Sequence, residues 1–361
     1  MKICLVSPYD IAQTGGVTNH IVNYAGELKS IGNEVTILTT SSKPDYSLDG
    51  IAIINLGKPV PIKFGSTVAN IFISWRSLFK IYLFFKKNRF DIVHIHEPLV
   101  PFISTFALIF SKNKTALTFH STIKKSWMFR AWGFIFNPWV CEKDCFIAVS
   151  KSAKDSLRNY NYNLDVEIYP NGVSNIFFKN KQSQKKESLK ILFVGRNEER
   201  KGAELLINAF QKLKKRNINK SFKLVLIGQN IDKLRTKYPL LEQCEFIGHT
   251  EGEMLYKHYF DSDILCAPSI ENESFGIILI EGMASKNVVL ASDISGYKEL
   301  ITNKNGILFK NNNVNDLSNK LTLLIENDNL RFNLEKNGYE FSKNYKWKSV
   351  AKKIFKIYEN L

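Results

Sequence analysis

No stretch of 18 uncharged apolar residues occurs in this 361-residue chain, so the sequence offers no candidate membrane-spanning helix. Its longest apolar run, LVPFISTFALIF, has twelve residues and reads as a buried helix. Met1 leads directly into the apolar run KICLVS, which predicts no signal or transit peptide. Cysteine is scarce: Cys4, Cys141, Cys145, Cys244 and Cys266 are odd in number and lack framework spacing, which points to a reducing compartment. Cys141 and Cys145 lie four apart, but no second Cys/His pair completes a zinc set, and no metal is expected. Acidic residues are also short, 34 against 50 Lys and Arg, for a net charge of +16. That balance favours an anionic partner such as a nucleotide phosphate or an acidic lipid. Nucleic acid is not expected, because there is neither a helix-turn-helix pattern nor an aromatic-basic RNA motif. Nothing marks a lysine for a pyridoxal group, and no other cofactor is expected.

What is present is a repeated strand–helix rhythm. KICLVS, EVTILTT, DIVHI, TALTF, CFIAVS and VEIYP alternate with helical stretches, the first of which carries Val17, Ile21, Val22, Ala25 and Leu28 at three- and four-residue spacing. After the polar run NKQSQKKES the rhythm restarts with LKILFVG, FKLVLIG, CEFIG, DILCAPS, NVVLAS and GILF. This predicts α/β architecture: two Rossmann-like domains with parallel sheets, 1–172 and 189–343, joined by a linker at 173–188. Residues 344–361 are predicted as a helix that packs back on the first domain. Ligands of such sheets bind at the carboxyl ends of the strands, and two facing domains would hold one in a cleft.

The most informative pair is Glu273 and Glu281, with seven residues between them in ESFGIILIE. Gly276 to Glu281 spans roughly 7–8 Å if helical. That is about the reach from the sugar of a nucleotide sugar across its diphosphate to its ribose. The amides of Ser274, Phe275 and Gly276 would open the helix and suit phosphate oxygens. Gly195-Arg196 and Arg200-Lys201-Gly202 supply two or three cations in one strand-to-helix loop, a phosphate clamp or a solvated basic loop. Gly15-Gly16-Val17 permits close approach of an anion or forms a plain tight turn. It matches neither the six-residue dinucleotide fingerprint nor a P-loop.

His120 ends the TALTF strand at the carboxyl edge of the first sheet. His94, His96 and Glu97 form a polar cluster after DIVHI, read as positioning or packing. Asp261-Ser-Asp263 looks like a metal-binding acidic triplet but is better read as a helix end and strand entry.

Together PYDIAQTGGVTNH, DIVHIHEP, LTFHS, YPNGV, FVGRNEERKG and ESFGIILIE resemble the family 4 retaining glycosyltransferases of GT-B fold, through nearly the whole chain. Within that family the first three motifs are most similar to the phosphatidyl-myo-inositol mannosyltransferases. The resemblance implies that Arg196 and Lys201 bind the donor diphosphate, Glu273 contacts the transferred sugar and Glu281 holds the ribose. It gives Phe275, Gly276 and Ile277 backbone amides toward phosphate and sugar, and brings Gly16 to the β-phosphate. It sets His120 near the anomeric carbon and Tyr9 and Lys125 toward an inositol-phosphate acceptor. The loop from Arg196 to Lys201 is one residue shorter than in that subgroup, so the lysine's part falls on Lys201 or Arg200.

From Lys58 to Phe90 there are seven basic residues and no acid, and Val68, Ile71, Phe72, Trp75, Phe79 and Tyr82 recur at helical spacing. Such a segment suits an anionic membrane surface or serves as an ordinary crossover helix; TIKKSWMFRAWGFIF is a second candidate interfacial element. The sequence thus predicts a metal-independent transferase that moves a hexose from a nucleotide sugar, mannose from GDP-mannose favoured, to a lipid acceptor. The expected location is cytoplasmic and peripheral on the inner face of the membrane. A UDP-sugar donor with a soluble glycan acceptor is the alternative.

Overall fold

The structure is a computed structural model that describes the chain except residues 65, 66, 124, 180–187 and 272. It divides into two compact units, Met1–Gly172 with Trp347–Leu361, and Val173–Lys346.

In the first unit β1 (Lys2–Asp10), α1 (Gly16–Ser30), β2 (Glu34–Thr40), β3 (Ala52–Asn55), β4 (Val60–Phe64), β5 (Thr67–Ile71) and α2 (Arg76–Lys87) come first. They are followed by β6 (Ile92–His96), α3 (Ile103–Phe110), β7 (Lys114–Phe119), α4 (Trp127–Cys141), β8 (Cys145–Ala148), α5 (Lys151–Ser156) and β9 (Glu167–Ile168). The main sheet has the order β3-β2-β1-β6-β7-β8-β9, all parallel. Both faces are covered, so its central strands read as unbroken apolar runs.

The second unit contains β10 (Leu189–Val194), α6 (Ala203–Lys214), β11 (Phe222–Ile227), α7 (Leu234–Lys237), β12 (Cys244–Ile247), α8 (Gly252–Phe260) and β13 (Ile264–Ala267). After these come α9 (Ile277–Ala284), β14 (Val288–Ser292), α10 (Ser295–Lys298), β15 (Ile307–Phe309), α11 (Val314–Glu326) and α12 (Asp328–Ser342). Its parallel sheet runs β12-β11-β10-β13-β14-β15. The strand order reverses beside β1 in one sheet and beside β10 in the other. Crevices open at the carboxyl ends of strands at such points, because neighbouring loops leave in opposite directions.

The last helix, α13 (Trp347–Asn360), belongs to the first unit. Trp347, Val350, Ala351, Ile354 and Tyr358 join the core built from Ile21, Tyr24, Leu28 and the sheet. Each large apolar side chain so buried is worth about 1.5–3 kcal/mol, which anchors a helix too short to persist alone in water.

Three expectations need correction. Residues 58–90 are not helical throughout: β4 and β5 form an antiparallel hairpin, with Val60 opposite Ile71, and only 76–87 is helix. Alternating β-branched and apolar residues at 60–71 favour the pleated strand over a helix. The linker does not begin at 173, because Val173 bridges to Lys346 and the Phe177 ring packs 4.9 Å from Tyr256 and 5.1 Å from Tyr259. The rest of the expected linker, 180–187, lies outside the described residues. Residues 344–346 fall in the second unit, and the helix starts at Trp347. Asp261 caps α8 and Asp263 accepts the Lys190 amide at 2.9 Å, a helix end and a strand entry.

Candidate functional site

In the second unit the loops after β10 and β13, the two strands flanking the order reversal, bring the motif residues together. The first loop turns at Gly202, whose φ of +72° and whose neighbour leave no room for a side chain: a Cβ there would lie 2.0 Å from the Pro268 carbonyl oxygen. That contact seats one loop on the other. Arg200 is buried; its Nη1 lies 3.3 Å from Glu273 Oε1, and its Nε makes an ion contact with Glu198 Oε2 at 2.8 Å without hydrogen-bond alignment. Lys201 Nζ also bonds Glu273 Oε1, and Ser269 donates to the same oxygen at 3.2 Å. Tyr297 Oη donates to Ser269 Oγ at 3.0 Å and holds that hydroxyl in place. Arg196 sits on the rim, 3.0 Å from Glu198.

Glu273 is therefore not a solvated loop acid. It converges with two cations and a hydroxyl, and Gly296 presses so close that a Cβ would lie 2.0 Å from the Glu273 carbonyl oxygen. The sequence left Lys201 and Arg200 as alternatives, and both reach Glu273.

Gly276, at φ +81°, caps α9, and a Cβ on it would strike the Tyr297 ring at 2.7 Å. This left-handed cap turns the Ser274–Phe275 segment so that the amides of Gly276 and Ile277 precede the first bond of the helix, which Leu279 N–H donates to the Gly276 carbonyl at 2.9 Å. One turn further, Glu281 Oε2 accepts from the buried Tyr259 Oη at 2.8 Å. Burial pushes the Glu281 carboxyl up to about 7, and the Tyr259 bond only partly opposes that. A basic loop, an open helix start and a carboxylic acid thus follow one another on one edge of this sheet.

The first unit gathers histidines at the carboxyl edge of its own sheet. His120, just past β7, donates its backbone N–H to Glu97 Oε1 at 2.8 Å, and its Nε2 lies 2.9 Å from His96 Nδ1. His20 of α1 stands edge-on to His120 with ring centroids 4.7 Å apart, and its Nδ1 bonds Asn171 Oδ1 at 2.7 Å. His94 stacks on His96 at 4.2 Å and is bonded by Tyr358 of α13 and by Thr118. Burial first, then neighbouring histidines, keeps His96 and His120 well below the usual imidazole range. Burial likewise lowers His20 to about 4. All are neutral at neutral pH.

Nitrogens of His20, His96 and His120 lie within 4.8 Å of one another. The His96–His120 separation of 2.9 Å is a hydrogen bond, shorter than the ~3.3 Å kept by two imidazoles around one tetrahedral ion. That one contact is a shared proton, whereas His20 Nε2 and His96 Nε2 are buried without a hydrogen-bond partner.

Gly16 opens α1, and a Cβ on it would meet nothing within 4 Å. Neither packing nor φ demands glycine there, so the open space is available to a ligand. Tyr9, near the end of β1, lies beside Glu97 and Tyr160, and burial raises its hydroxyl first, the Glu97 charge second. Lys125 is exposed in the loop after His120. Sequence reasoning missed Tyr259, Ser269, Tyr297, His20, Asn171 and Tyr358. His20 and Asn171 lie inside the motifs PYDIAQTGGVTNH and YPNGV without being singled out by them, while Tyr259, Ser269, Tyr297 and Tyr358 carry no local signal.

Two family descriptions match the chain: Glycosyltransferase Family 4 over residues 14–175 and Glycosyl transferases group 1 over residues 175–341. A phosphatidyl-myo-inositol mannosyltransferase of Mycolicibacterium smegmatis is 30% identical, with 100% of this chain and 94% of that one covered. A glycosyltransferase from Rickettsia africae superposes with a TM-score of 0.79 at 24% identity, covering 99% of this chain and 98% of the other. An Anabaena protein solved with UDP and glucose gives 0.79 at 15% identity, with both chains fully covered. The two parallel α/β units and the paired family matches lead to one conclusion: the chain belongs to the group 1, family 4 glycosyltransferases of GT-B fold.

Proposed function

We propose that this glycosyltransferase moves mannose from GDP-mannose to a phosphatidylinositol-like lipid at an anionic membrane surface, with retention of configuration. The observation that carries the reading is the full-length similarity, at 30% identity, to an enzyme named for that transfer. The geometry of the second unit supports the donor half. Arg196, Arg200 and Lys201 meet the charge that develops on the departing diphosphate, aided by the amides of Phe275, Gly276 and Ile277 at the start of α9. A diphosphate bound there draws Lys201 and Arg200 away from Glu273 and frees that carboxylate to accept hydroxyls of the transferred sugar. Glu281 accepts those of the ribose. These cations and amides supply the electrostatic stabilisation without calling on a metal.

From the first unit, Gly16 lets the β-phosphate approach and His120 contacts the sugar near the anomeric carbon. Being neutral, that imidazole adds no positive charge beside an oxocarbenium-like centre. No covalent nucleophile is assigned, since attack on the face the diphosphate leaves also retains configuration. Tyr9 and Lys125 face the acceptor.

No described helix is long and apolar enough to cross a membrane, and we place the protein at the inner membrane face through the basic α2 segment. A second reading, a UDP-sugar donor with a soluble glycan acceptor, is favoured by the Anabaena protein solved with UDP and glucose. A panel of radiolabelled nucleotide sugars with a lipid extract separates the two. Label from GDP-mannose in the inositol lipid supports the first. Label from a UDP-sugar in a water-soluble product replaces it with the second.

A further inference from the structure

The helix α4 exposes the wrong face for a soluble protein. Trp127 is 78% exposed, Met128 58%, Phe134 80% and Ile135 55%. Trp127 and Phe134, like Met128 and Ile135, are seven apart and so lie two turns along one side. The exposed residues Ala131 and Pro138 continue the stripe, and only Arg130 and Asn137 interrupt it before the end of the helix. A surface helix ordinarily turns such a stripe inward, and an apolar ridge of this kind marks an interaction surface.

The orientation is built in rather than accidental. On the opposite side Gly133 fits against Tyr160 so tightly that a Cβ would lie 2.3 Å from the Tyr160 carbonyl oxygen, and Tyr162 Oη donates to the Gly133 carbonyl at 2.9 Å. The Phe129 ring meets Tyr160 at 5.6 Å. Trp132 Nε1 donates to the Leu99 carbonyl at 2.8 Å and ties α4 to the segment that leads into α3. That segment is also where Trp75, ahead of α2, meets Phe102 at 5.6 Å. The exposed Trp75, and with it the exposed Phe79 and Tyr82 of α2, therefore border the same region of the unit.

Charge identifies the occupant. From Lys58 to Cys141 the chain has twelve Lys and Arg and only two acids, Asp91 and Glu97. Asp91 is exposed but accepts the Lys2 amide, and Glu97 accepts the His120 amide. No acid occurs at all from 98 to 141. An apolar, Trp-bearing ridge flanked by these cations, with Glu142 and Asp144 following only past the C-terminal end of α4, suits the boundary between headgroups and acyl chains of an anionic bilayer.

We infer that α4 is a membrane-insertion element: its ridge at Trp127, Met128, Phe134 and Ile135 enters the acyl boundary of an anionic bilayer while the cations of α2 bind headgroups. This rests on the membrane-surface reading above and deepens it, since it assigns insertion to α4 and electrostatic capture to α2.

The test uses the full chain and sucrose-loaded vesicles of phosphatidylcholine, with or without phosphatidylglycerol, so that no inositol lipid is present. The wild type is expected to sediment with the anionic vesicles and to retain part of that binding in 1 M salt, where the Debye length is about 3 Å. Brominated acyl chains should quench its fluorescence, and Trp127→Phe should remove most of that quenching. Phe134→Ser with Ile135→Ser is expected to weaken partitioning by about tenfold or more and to abolish the salt-resistant part. Its melting temperature should be unchanged, because both positions face solvent. Lys86→Glu with Lys87→Glu should weaken capture at low salt yet leave quenching of the bound fraction intact.

Partitioning of the Phe134/Ile135 variant equal to wild type overturns the inference. So does light scattering that shows a wild-type dimer converted to monomer by the same pair, which makes the ridge a contact between copies. Ridge-dependent vesicle binding without any transfer to inositol lipid would leave the insertion element standing and remove the acceptor reading; the converse result would remove the insertion element alone.

Discussion

Glu281 offers a test that reads the donor site through a proton. Its carboxyl is pushed up to about 7 by burial, from an ordinary value of 4.5, so near neutral pH about half the molecules carry it protonated. A carboxyl that accepts two ribose hydroxyls must be ionised, and the bound hydroxyls return it toward its ordinary range. Donor affinity should then fall roughly tenfold, about 1.4 kcal/mol, from about pH 8 to about pH 6, and binding at neutral pH should release about half a proton.

The ligand should be an intact nucleotide sugar without acceptor, because its doubly esterified diphosphate does not titrate in this window. Calorimetry in two buffers of different ionisation enthalpy measures the proton directly. The fold itself carries the opposite dependence. An acid whose folded pKa is raised binds more protons folded than unfolded, so stability falls as pH rises from 4.5 through 7. Glu281→Gln should therefore raise stability at about pH 8 by on the order of 2 kcal/mol, after allowance for the partial exposure of the group, and by much less at about pH 5. It should also flatten the pH dependence of binding. Affinity independent of pH in the wild type, or no proton released, would refute both the ionisation argument and the ribose assignment.

Glu273→Ala should reduce transfer by at least about 10²–10³-fold while circular dichroism shows a folded protein, since Arg200 keeps Glu198 as its partner; near-normal turnover would remove Glu273 from the site. Gly16→Ala should leave the melting temperature equal or slightly higher, by up to about 1 kcal/mol of stability, because its Cβ meets nothing within 4 Å. Its donor KM should nevertheless rise about tenfold or more through loss of a charged phosphate contact, and an unchanged KM would make Gly16 a plain turn residue. Gly202→Ala should cost at least about 1–3 kcal/mol, given the positive φ and the 2.0 Å approach to the Pro268 oxygen, read as a lower melting temperature. The buried histidines give the fold an acid limit. Their lowered pKa values make the unfolded chain bind more protons, so their stabilisation is full above about pH 6.5 and is lost toward acid. His20 alone, at about 4, should lose about 1.5–2 kcal/mol between pH 6.5 and 5; a melting temperature flat across that range would contradict it.

Several of these assignments were readable without coordinates because their signals are local. Two βαβ series separated by a polar run imply two parallel sheets, since each apolar run must be covered on both faces. The Glu-x7-Glu spacing, the cationic loop and the glycines at 15 and 16 each occupy a single turn or loop. Other features hid for definite reasons. Val60 to Ile71 satisfies strand alternation and helical spacing at once, and hairpin pairing decides between them. Tyr259 and Tyr358 look like core aromatics in the sequence, and only packing turns their hydroxyls toward Glu281 and His94.

Glu273 shows the division most clearly. The sequence by itself determined that an acid follows β13, just ahead of a helix opened by glycine, and that two cations follow β10. Backbone periodicity and residue type are sufficient for that. Only the tertiary structure decided that Arg200, Lys201 and Ser269 converge on one carboxylate oxygen. These loops lie some seventy residues apart in the chain, and what joins them is the adjacency of β10 and β13, a non-local pairing that no window of sequence encodes. The same holds for α4: its apolar pattern is legible in sequence, but which side faces solvent was decided by the close seat of Gly133 on Tyr160.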